Sequence, residues 1–543
     1  MVPALPSAPF PHMNPWQEFP VPAIRHEALN GNRVVRCFAD RPKSLYAMFA
    51  QAVALRGAHE ALVCDGQRWT YAQVAAEVGS IACGLAAAGV KPGDRVAMLI
   101  GNRPEFMFVL FALQGLGAIA VPVGVREQRP GLAYMLRQCS ARAIVFDADL
   151  VQRVPDTAEV PSLSLRWSIG HVSGVPSLDV FAAAGKRAVP LAEVQEQDTA
   201  VILYTSGTTG NPKGAMLTHL NIAHSVLHYQ AGMRLTADDR SALAVPASHV
   251  TGLIAIIATM VQVGGTVVIV PAFKAPDFIA LMAQERITHT LMVPAMYALC
   301  LLAPEFARHD LSRWRIGGYG GAPMPMATID QLAQRLPGLV LLNAYGATET
   351  TSPTTMMPAG LTREHADTVG VAVPCAEVRV MNDDGIEVPP GHSGELWIAG
   401  PMVVAGYWDD PQATLASFSA GFWHSGDLGS VDAQGFVRIL DRKKDMLNRG
   451  GFKIYSVEVE NTLMAMTGVV EAAIVGRPCP VLGERVHAFV YAPGLAHDDE
   501  AMRGHCRARL ADYKVPETIT WADAPLPRNA NGKLVKRLLR EQG

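Results

Sequence analysis

The chain has 543 residues, half of them hydrophobic, and a formal net charge of −3. That length exceeds what one core serves, so at least two domains are expected, and the near-neutral balance offers no field for a polyanion, which excludes nucleic acid as a partner on electrostatic grounds. Eight cysteines lie scattered without a Cys-x-x-Cys pair, which argues against zinc and against a disulfide framework.

In chain order, residues 1–45 read as an irregular leader, interrupted by Pro3, Pro6, Pro9, Pro11, Pro15, Pro20 and Pro22. It lacks a basic start followed by an apolar core, so it is not a secretory signal, and a cytoplasmic enzyme is expected. From Leu45 the pattern turns regular: a helix, a strand pair around Ala61–Val63 and Thr70–Tyr71, and an alanine-rich helix from Ala72 to Ala88. Val96–Ile100, a helix from Glu105 to Leu116, and Ile119–Val123 make a strand–helix–strand unit whose crossover implies parallel strands. Two apolar runs, Phe106 to Val123 and Leu253 to Pro271, are each broken by Gln and by glycines. They fit a buried helix turning into a buried strand, with no membrane span.

Ala200–Tyr204 reads as a buried strand that delivers its C-terminal end into Thr205-Ser206-Gly207-Thr208-Thr209-Gly210-Asn211-Pro212-Lys213-Gly214. The glycines let backbone N–H groups approach an anion, the hydroxyls of Thr205, Ser206, Thr208 and Thr209 add donors, and Lys213 adds a mobile positive charge. This is a phosphate cradle by chemistry, and it is not a Walker loop, because no Gly-Lys pair is followed by Ser or Thr. Helices are expected over Leu220–Ala231 and Gly252–Val263, with a strand over Thr266–Val270. From Val245 to Val263 there is no Asp, Glu, Lys or Arg.

After Gly317-Gly318-Tyr319-Gly320-Gly321-Ala322-Pro323, which lacks dinucleotide spacing, the apolar strand Val340–Leu342 ends in Asn343-Ala344-Tyr345-Gly346-Ala347-Thr348-Glu349. Tyr345 offers a face for a purine, Thr348 a hydroxyl for a phosphate, and Glu349 a hard oxygen for Mg²⁺. Asp427, in Ser425-Gly426-Asp427, can accept two ribose hydroxyls through its two oxygens. Taken singly, each also has a plain reading as core tyrosine, helix cap, exposed carboxylate or turn aspartate. Strands over Glu471–Val475 and Arg485–Tyr491 alternate with helices over Ser456–Met466 and Asp499–Leu510, which makes residues 442–543 a small α+β domain after a large α/β domain at 46–441.

Together, and in this order, the motifs resemble the acyl-adenylate-forming superfamily of acyl-CoA synthetases, luciferases and peptide-synthetase adenylation domains, and are most similar to the AMP-forming acyl-CoA synthetases. The resemblance implies a fold of doubly wound sheets with helices, closed by a mobile C-terminal lid. It places Gly321, Ala322 and Pro323 against adenine beside Tyr345 and Gly346, Thr348 at the α-phosphate, Glu349 on Mg²⁺, and Asp427 with Arg442 at the ribose. Ser425 stands where the family usually has Thr, a departure that keeps the hydroxyl. His249 then lies beside the acyl site, Lys444 is the hinge, Gly450 and Gly451 line the CoA tunnel, and Lys533 is the catalytic lysine.

Amino-acid-activating relatives place an Asp near the start of the Gly252–Val263 helix, and none is present, so a fatty or aryl acid with an apolar body is expected. The implied activity joins that acid to ATP, releases pyrophosphate and passes the acyl group to CoA. A stand-alone enzyme loading a carrier protein and a non-catalytic nucleotide-binding relative stay open, as does the oligomeric state, a homodimer included.

Overall fold

The computed structural model describes residues 21–29, 33–183, 191–205, 211–528 and 534–542. Within it the chain divides into two compact units. One takes in residues up to 378 with 398–423 and 433–437; the other takes in 379–397, 424–432 and 438 onward.

The first unit is built on two sheets. One has the strand order Lys213–Thr218, Thr199–Thr205, Ile119–Pro122, Arg95–Leu99, Ala143–Asp147, Leu165–Ile169. Its last five strands run parallel, and Lys213–Thr218 turns back antiparallel with Lys213 opposite Thr205. The other has nine strands, with Val340–Tyr345, Ile316–Tyr319, His289–Met292, Arg240–Leu243, Thr266–Ile269 and Glu60–Cys64 parallel at its centre. Parallel strands are covered on both faces, which is why Ala143–Asp147 and Thr266–Ile269 are buried at every residue.

Helices fill the space between. The expected alanine-rich helix forms as Tyr71–Ala87, started by a capping box in which Thr70 Oγ1 accepts the Gln73 N–H at 3.2 Å and Gln73 Oε1 accepts the Thr70 N–H at 2.8 Å. The apolar run from Phe106 forms helix Pro104–Gly115, buried from Phe106 through Gly115, and then strand Ile119–Pro122, with Gly117 at φ +64° making the turn. A helix apolar all round belongs in a core, and its Phe111 and Leu113 share one cluster with Val96 and Met98 of one sheet and Leu243 and Ile269 of the other. Among the described residues no helix is long and apolar enough to cross a membrane.

Three expectations need correction. Residues 24–38 are not irregular: Ile24–Leu29 and Arg33–Phe38 pair antiparallel. The ordering force is Arg41, buried, whose guanidinium donates to Glu27 (2.7 Å) and to Glu196 (2.8 Å), so that the hairpin is held through a doubly paired cation. The helix expected over Gly252–Val263 forms as a π-helix, Thr251–Ala258, followed by an α-helix, Thr259–Val263. Thr259 sets the wide turn, because its N–H and its hydroxyl (2.8 Å) both bond the carbonyl of Ile254, five residues back. Finally, the unit that contains 442–543 begins earlier. Strand Val437–Arg442 pairs with Phe422–Val431, which neighbours Gly394–Ala399, so the segments at 379–397 and 424–432 group with the C-terminal residues.

The second unit closes with its own sheet, ordered Phe452–Ile454, Leu447–Arg449, Gly483–Tyr491, Glu471–Cys479, with Thr518–Trp521 pairing parallel to Gly483–Tyr491. Helices Ser456–Met464 and Asp499–Arg507 bury Val459, Leu463, Met502 and Cys506 against Leu447, Ile474 and Val486. This is the expected α+β arrangement.

Candidate active site

Parallel strands end together, and polar residues at their C-terminal ends are what an α/β sheet offers a ligand. In the first unit the ends of both sheets meet. Thr205 closes Thr199–Thr205, and Glu349 lies in the short Thr348–Thr350 turn that follows Val340–Tyr345. The Thr205 hydroxyl donates to Glu349 Oε1 at 3.4 Å. Lys213 opens the strand directly opposite Thr205.

Sequence reasoning missed two residues here. Asn102, three residues beyond strand Arg95–Leu99, donates to the carbonyls of Leu243 (3.3 Å), Val245 (3.0 Å) and Val270 (3.2 Å) and accepts the Ala247 N–H at 2.8 Å. It thereby ties one sheet's strand ends to the segment that carries His249. A polar residue just past a buried strand was the available signal. Tyr407, buried, donates its hydroxyl to Glu349 Oε1 at 3.0 Å, and the Lys213 ammonium stands 5.1 Å from its ring centroid. Burial, and then the Glu349 charge, push its hydroxyl well above the ordinary tyrosine range, so it remains a neutral donor.

The other expected positions in this unit sit as follows. Gly321, Ala322 and Pro323 are exposed in the turn after Ile316–Tyr319, Gly321 at φ +78°. A side chain on the neighbouring Gly320 would lie 2.4 Å from the Ala344 carbonyl oxygen, so this turn rests on the backbone that leads into Tyr345. Tyr345, Gly346 and Thr348 are half-buried. His249 is half-buried in the turn before the π-helix, where its N–H bonds the Pro246 carbonyl at 3.1 Å and its carbonyl accepts the Leu253 N–H at 2.8 Å. Ser206, Gly207, Thr208, Thr209 and Lys533 lie outside the described residues.

Glu349 is a suitable holder for a hard divalent cation. Its carboxylate is buried, Oε1 is engaged by Tyr407 and Thr205, and among the described residues Oε2 has no hydrogen-bond partner. Among the described residues no group of three or more His, Cys, Asp or Glu could hold a metal. A cation at Glu349 would therefore take its remaining ligands from phosphates and water, as Mg²⁺ does.

In the second unit Asp427 and Arg442 meet. Asp427 lies on strand Phe422–Val431, not in a turn, and its Oδ1 accepts from Arg442 Nη1 at 2.7 Å. The Asp427 N–H bonds Ser425 Oγ at 3.0 Å, and that hydroxyl donates to the Leu396 carbonyl at 2.7 Å, so Ser425 carries the hydroxyl contact that orients the aspartate. Lys444 follows Arg442 in the next turn, where its carbonyl accepts from Arg540 at 3.1 Å, and Arg540 also pairs with Asp445 at 2.7 Å. Gly450 (φ +59°) and Gly451 (φ +88°) form the two-residue turn between Leu447–Arg449 and Phe452–Ile454, a geometry that requires glycine-like backbone at both positions.

Residues 49–408 match the family described as AMP-binding enzyme, and residues 458–533 match the AMP-binding enzyme C-terminal domain. The chain is 35% identical to a feruloyl-CoA synthase of Amycolatopsis sp, over 88% of this chain and 94% of the relative. It is 32% identical to a long-chain-fatty-acid–CoA ligase of Mycobacterium tuberculosis, over 88% and 93%. Among solved structures, ATP-bound MatB from Rhodopseudomonas palustris superposes with a TM-score of 0.84 at 30% identity, covering 92% of this chain and 99% of that one.

Proposed function

This chain belongs to the AMP-binding, acyl-adenylate-forming enzyme family as an AMP-forming acid–thiol ligase, and from that premise we propose that its substrate is a fatty or aryl carboxylic acid with a neutral, apolar body. Such ligases first join an acid to ATP with release of pyrophosphate and then pass the acyl group to CoA. The observation that carries the proposal is the uncharged wall: from Val245 to Val263 no side chain is ionisable except His249, and Gly252–Ala258 is buried throughout. A substrate ammonium buried against it would go unpaired, at a cost of several kcal/mol. The relatives named for feruloyl and long-chain fatty acyl groups are in keeping with this.

A carboxylate cannot expel oxide, so activation precedes transfer. Lys213 and the hydroxyls from Thr205 to Thr209 neutralise and orient the phosphates, Thr348 meets the α-phosphate, and Tyr345 with Gly321, Ala322 and Pro323 receives adenine. Asp427 and Arg442 take the ribose. Mg²⁺ held by Glu349 would offset charge on the phosphates. Lys533 draws the carboxylate and the α-phosphate together, two anions that otherwise repel. His249 borders the acyl group. Rotation about Lys444 then withdraws Lys533 and presents Gly450 and Gly451 to CoA, so the C-terminal domain serves as a mobile lid.

Mass-spectrometric detection of acyl-CoA products from a panel of fatty, aryl and amino acids tests the substrate class. Products from apolar acids are expected, and turnover confined to amino acids contradicts it. Thioester formed on a carrier protein and never on free CoA would instead favour the carrier-loading reading.

A further inference from the structure

Tyr407 touches both of the charged groups that the proposed nucleotide site needs. Its backbone is laid against the strand that carries Lys213. Met216 N–H bonds the Gly406 carbonyl at 3.2 Å, Trp408 N–H bonds the Gly214 carbonyl at 2.7 Å, and Ala215 sits opposite Tyr407. On its other side the segment is fixed by Thr414: a Cβ on Gly406 would come within 2.5 Å of Thr414 Cγ2, and Thr414 Oγ1 accepts the Tyr407 N–H at 3.0 Å.

The preceding residues are fixed just as closely. Asn221 donates to the carbonyls of Pro401 (2.7 Å) and Val403 (3.2 Å), Arg33 donates to the same Val403 carbonyl (3.1 Å), and Val404 N–H bonds the Glu349 carbonyl at 2.9 Å. Glu349 is thus held from this one segment at both its backbone and its side chain.

A lysine and a carboxylate converging on a partly buried site would ordinarily pair with each other, leaving neither for a ligand. Among the described residues Lys213 and Glu349 form no ion pair. The Lys213 ammonium rests on the face of the Tyr407 ring, and Glu349 is engaged by the hydroxyl at the edge of that ring. A ring face attracts the cation without neutralising it. The phenol hydrogen bond at 3.0 Å, with the longer one from Thr205 at 3.4 Å, engages Oε1 and leaves Oε2 for another ligand.

We propose that Tyr407 is a positioning residue for the metal–nucleotide complex, holding the Glu349 carboxylate open toward the cation while its ring keeps the Lys213 ammonium available to the phosphates. The proposal rests on the reading of Glu349 as the metal holder and Lys213 as a phosphate contact, and it adds a residue outside the motif stretches, with two separable duties on one side chain.

The two duties come apart by substitution. Tyr407→Phe keeps the ring and removes the hydroxyl; Tyr407→Leu removes both. The measurements are calorimetric titration of the full-length protein with AMP and with a non-hydrolysable ATP analogue, and electron paramagnetic resonance of Mn²⁺ added to the analogue complex. For Tyr407→Phe, Mn²⁺ affinity in the complex is expected to fall about tenfold, the scale of one hydrogen bond to a charged group, with AMP binding unchanged. For Tyr407→Leu, ATP-analogue affinity is expected to fall further even without metal, with AMP binding again retained. Retained AMP binding also reports that the fold is intact.

Wild-type Mn²⁺ affinity in Tyr407→Phe overturns the proposal, as does equal loss of AMP and analogue binding in both variants. Glu349→Gln separates this from the reading beneath it. If Glu349→Gln binds Mn²⁺ like the wild type, the metal assignment itself fails; if it loses Mn²⁺ while Tyr407→Phe does not, the role of Tyr407 alone falls.

Discussion

Gly252 is the second residue of the π-helix of the proposed acyl wall, and a Cβ built there would lie 2.3 Å from the Pro246 carbonyl oxygen and 2.9 Å from Ala247 Cα. Both obstacles are backbone. To bring the oxygen contact even to 3.0 Å, the Pro246 carbonyl has to retreat by about 0.7 Å, a distance that also breaks or bends the 3.1 Å bond it accepts from His249 N–H. Losing that bond costs about 1 kcal/mol and the strain of overpacking adds about 1–3 kcal/mol, so Gly252→Ala is expected to destabilise by about 2–4 kcal/mol. At roughly 2.1 cal/mol/K per residue of unfolding entropy, that lowers the melting temperature of a domain this size by about 2–5 °C.

His249 moves with the same turn, so the KM for the acid is expected to rise while AMP affinity stays put. Gly79 is the control. It sits inside helix Tyr71–Ala87, and a Cβ there meets nothing within 4 Å, so Gly79→Ala gains helix propensity of about 0.5–1 kcal/mol. Scanning calorimetry with steady-state kinetics on both variants decides it. A Gly252→Ala enzyme that melts with the wild type and keeps its KM for the acid would refute the steric argument.

Lys533→Ala is expected to lose adenylate formation, measured as pyrophosphate release, yet to keep thioester formation from supplied acyl-adenylate; equal loss of both speaks against dividing the work between two lid positions. Lys444→Pro removes no hydrogen bond made by the Lys444 N–H among the described residues, and restricts rotation at the proposed hinge. Its CoA step should slow more than its pyrophosphate release, and wild-type rates in both would exclude a hinge there. The Arg41 guanidinium, then Arg25, hold the Glu27 carboxyl down to about 2 from 4.5 against the opposing effect of burial. A depressed folded value means stabilisation that is full above about pH 4.5 and lost as pH falls toward about 2. The difference in melting temperature between the wild type and Glu27→Gln should therefore shrink below that upper pH, and a difference independent of pH would contradict the clamp.

Much of the fold and site was legible because the relevant signals are contiguous. Ala200–Lys213 and Val340–Glu349 each announce an apolar strand running into polar chemistry, and the structure puts Thr205 beside Glu349 at those strand ends. Tyr407 was not legible, and Asn102 offered only its place past a buried strand, since the importance of each exists only once separate strands meet. The all-apolar run Leu253–Ala258 carries no periodicity that could distinguish a π-helix from an α-helix. In the hairpin Ile24–Phe38 the exposed positions are Arg25, His26, Ala28, Val34 and Arg36, a mixture of polar and apolar residues that leaves its alternation weak in sequence, and its anchor Arg41 finds Glu196 far along the chain. The segments grouped with the C-terminal residues were missed for a related reason: the pairing of Val437–Arg442 with Phe422–Val431 is set by contacts between strands that their separate motifs do not announce.

The account stands on an acyl-adenylate that forms before CoA is needed. Exchange of labelled pyrophosphate into ATP, run with an apolar acid and no CoA, measures that step alone. Exchange that requires the acid, with acyl-CoA appearing only after CoA is added, is the result expected here. Exchange that requires CoA, or that runs equally well with no acid present, would contradict the account.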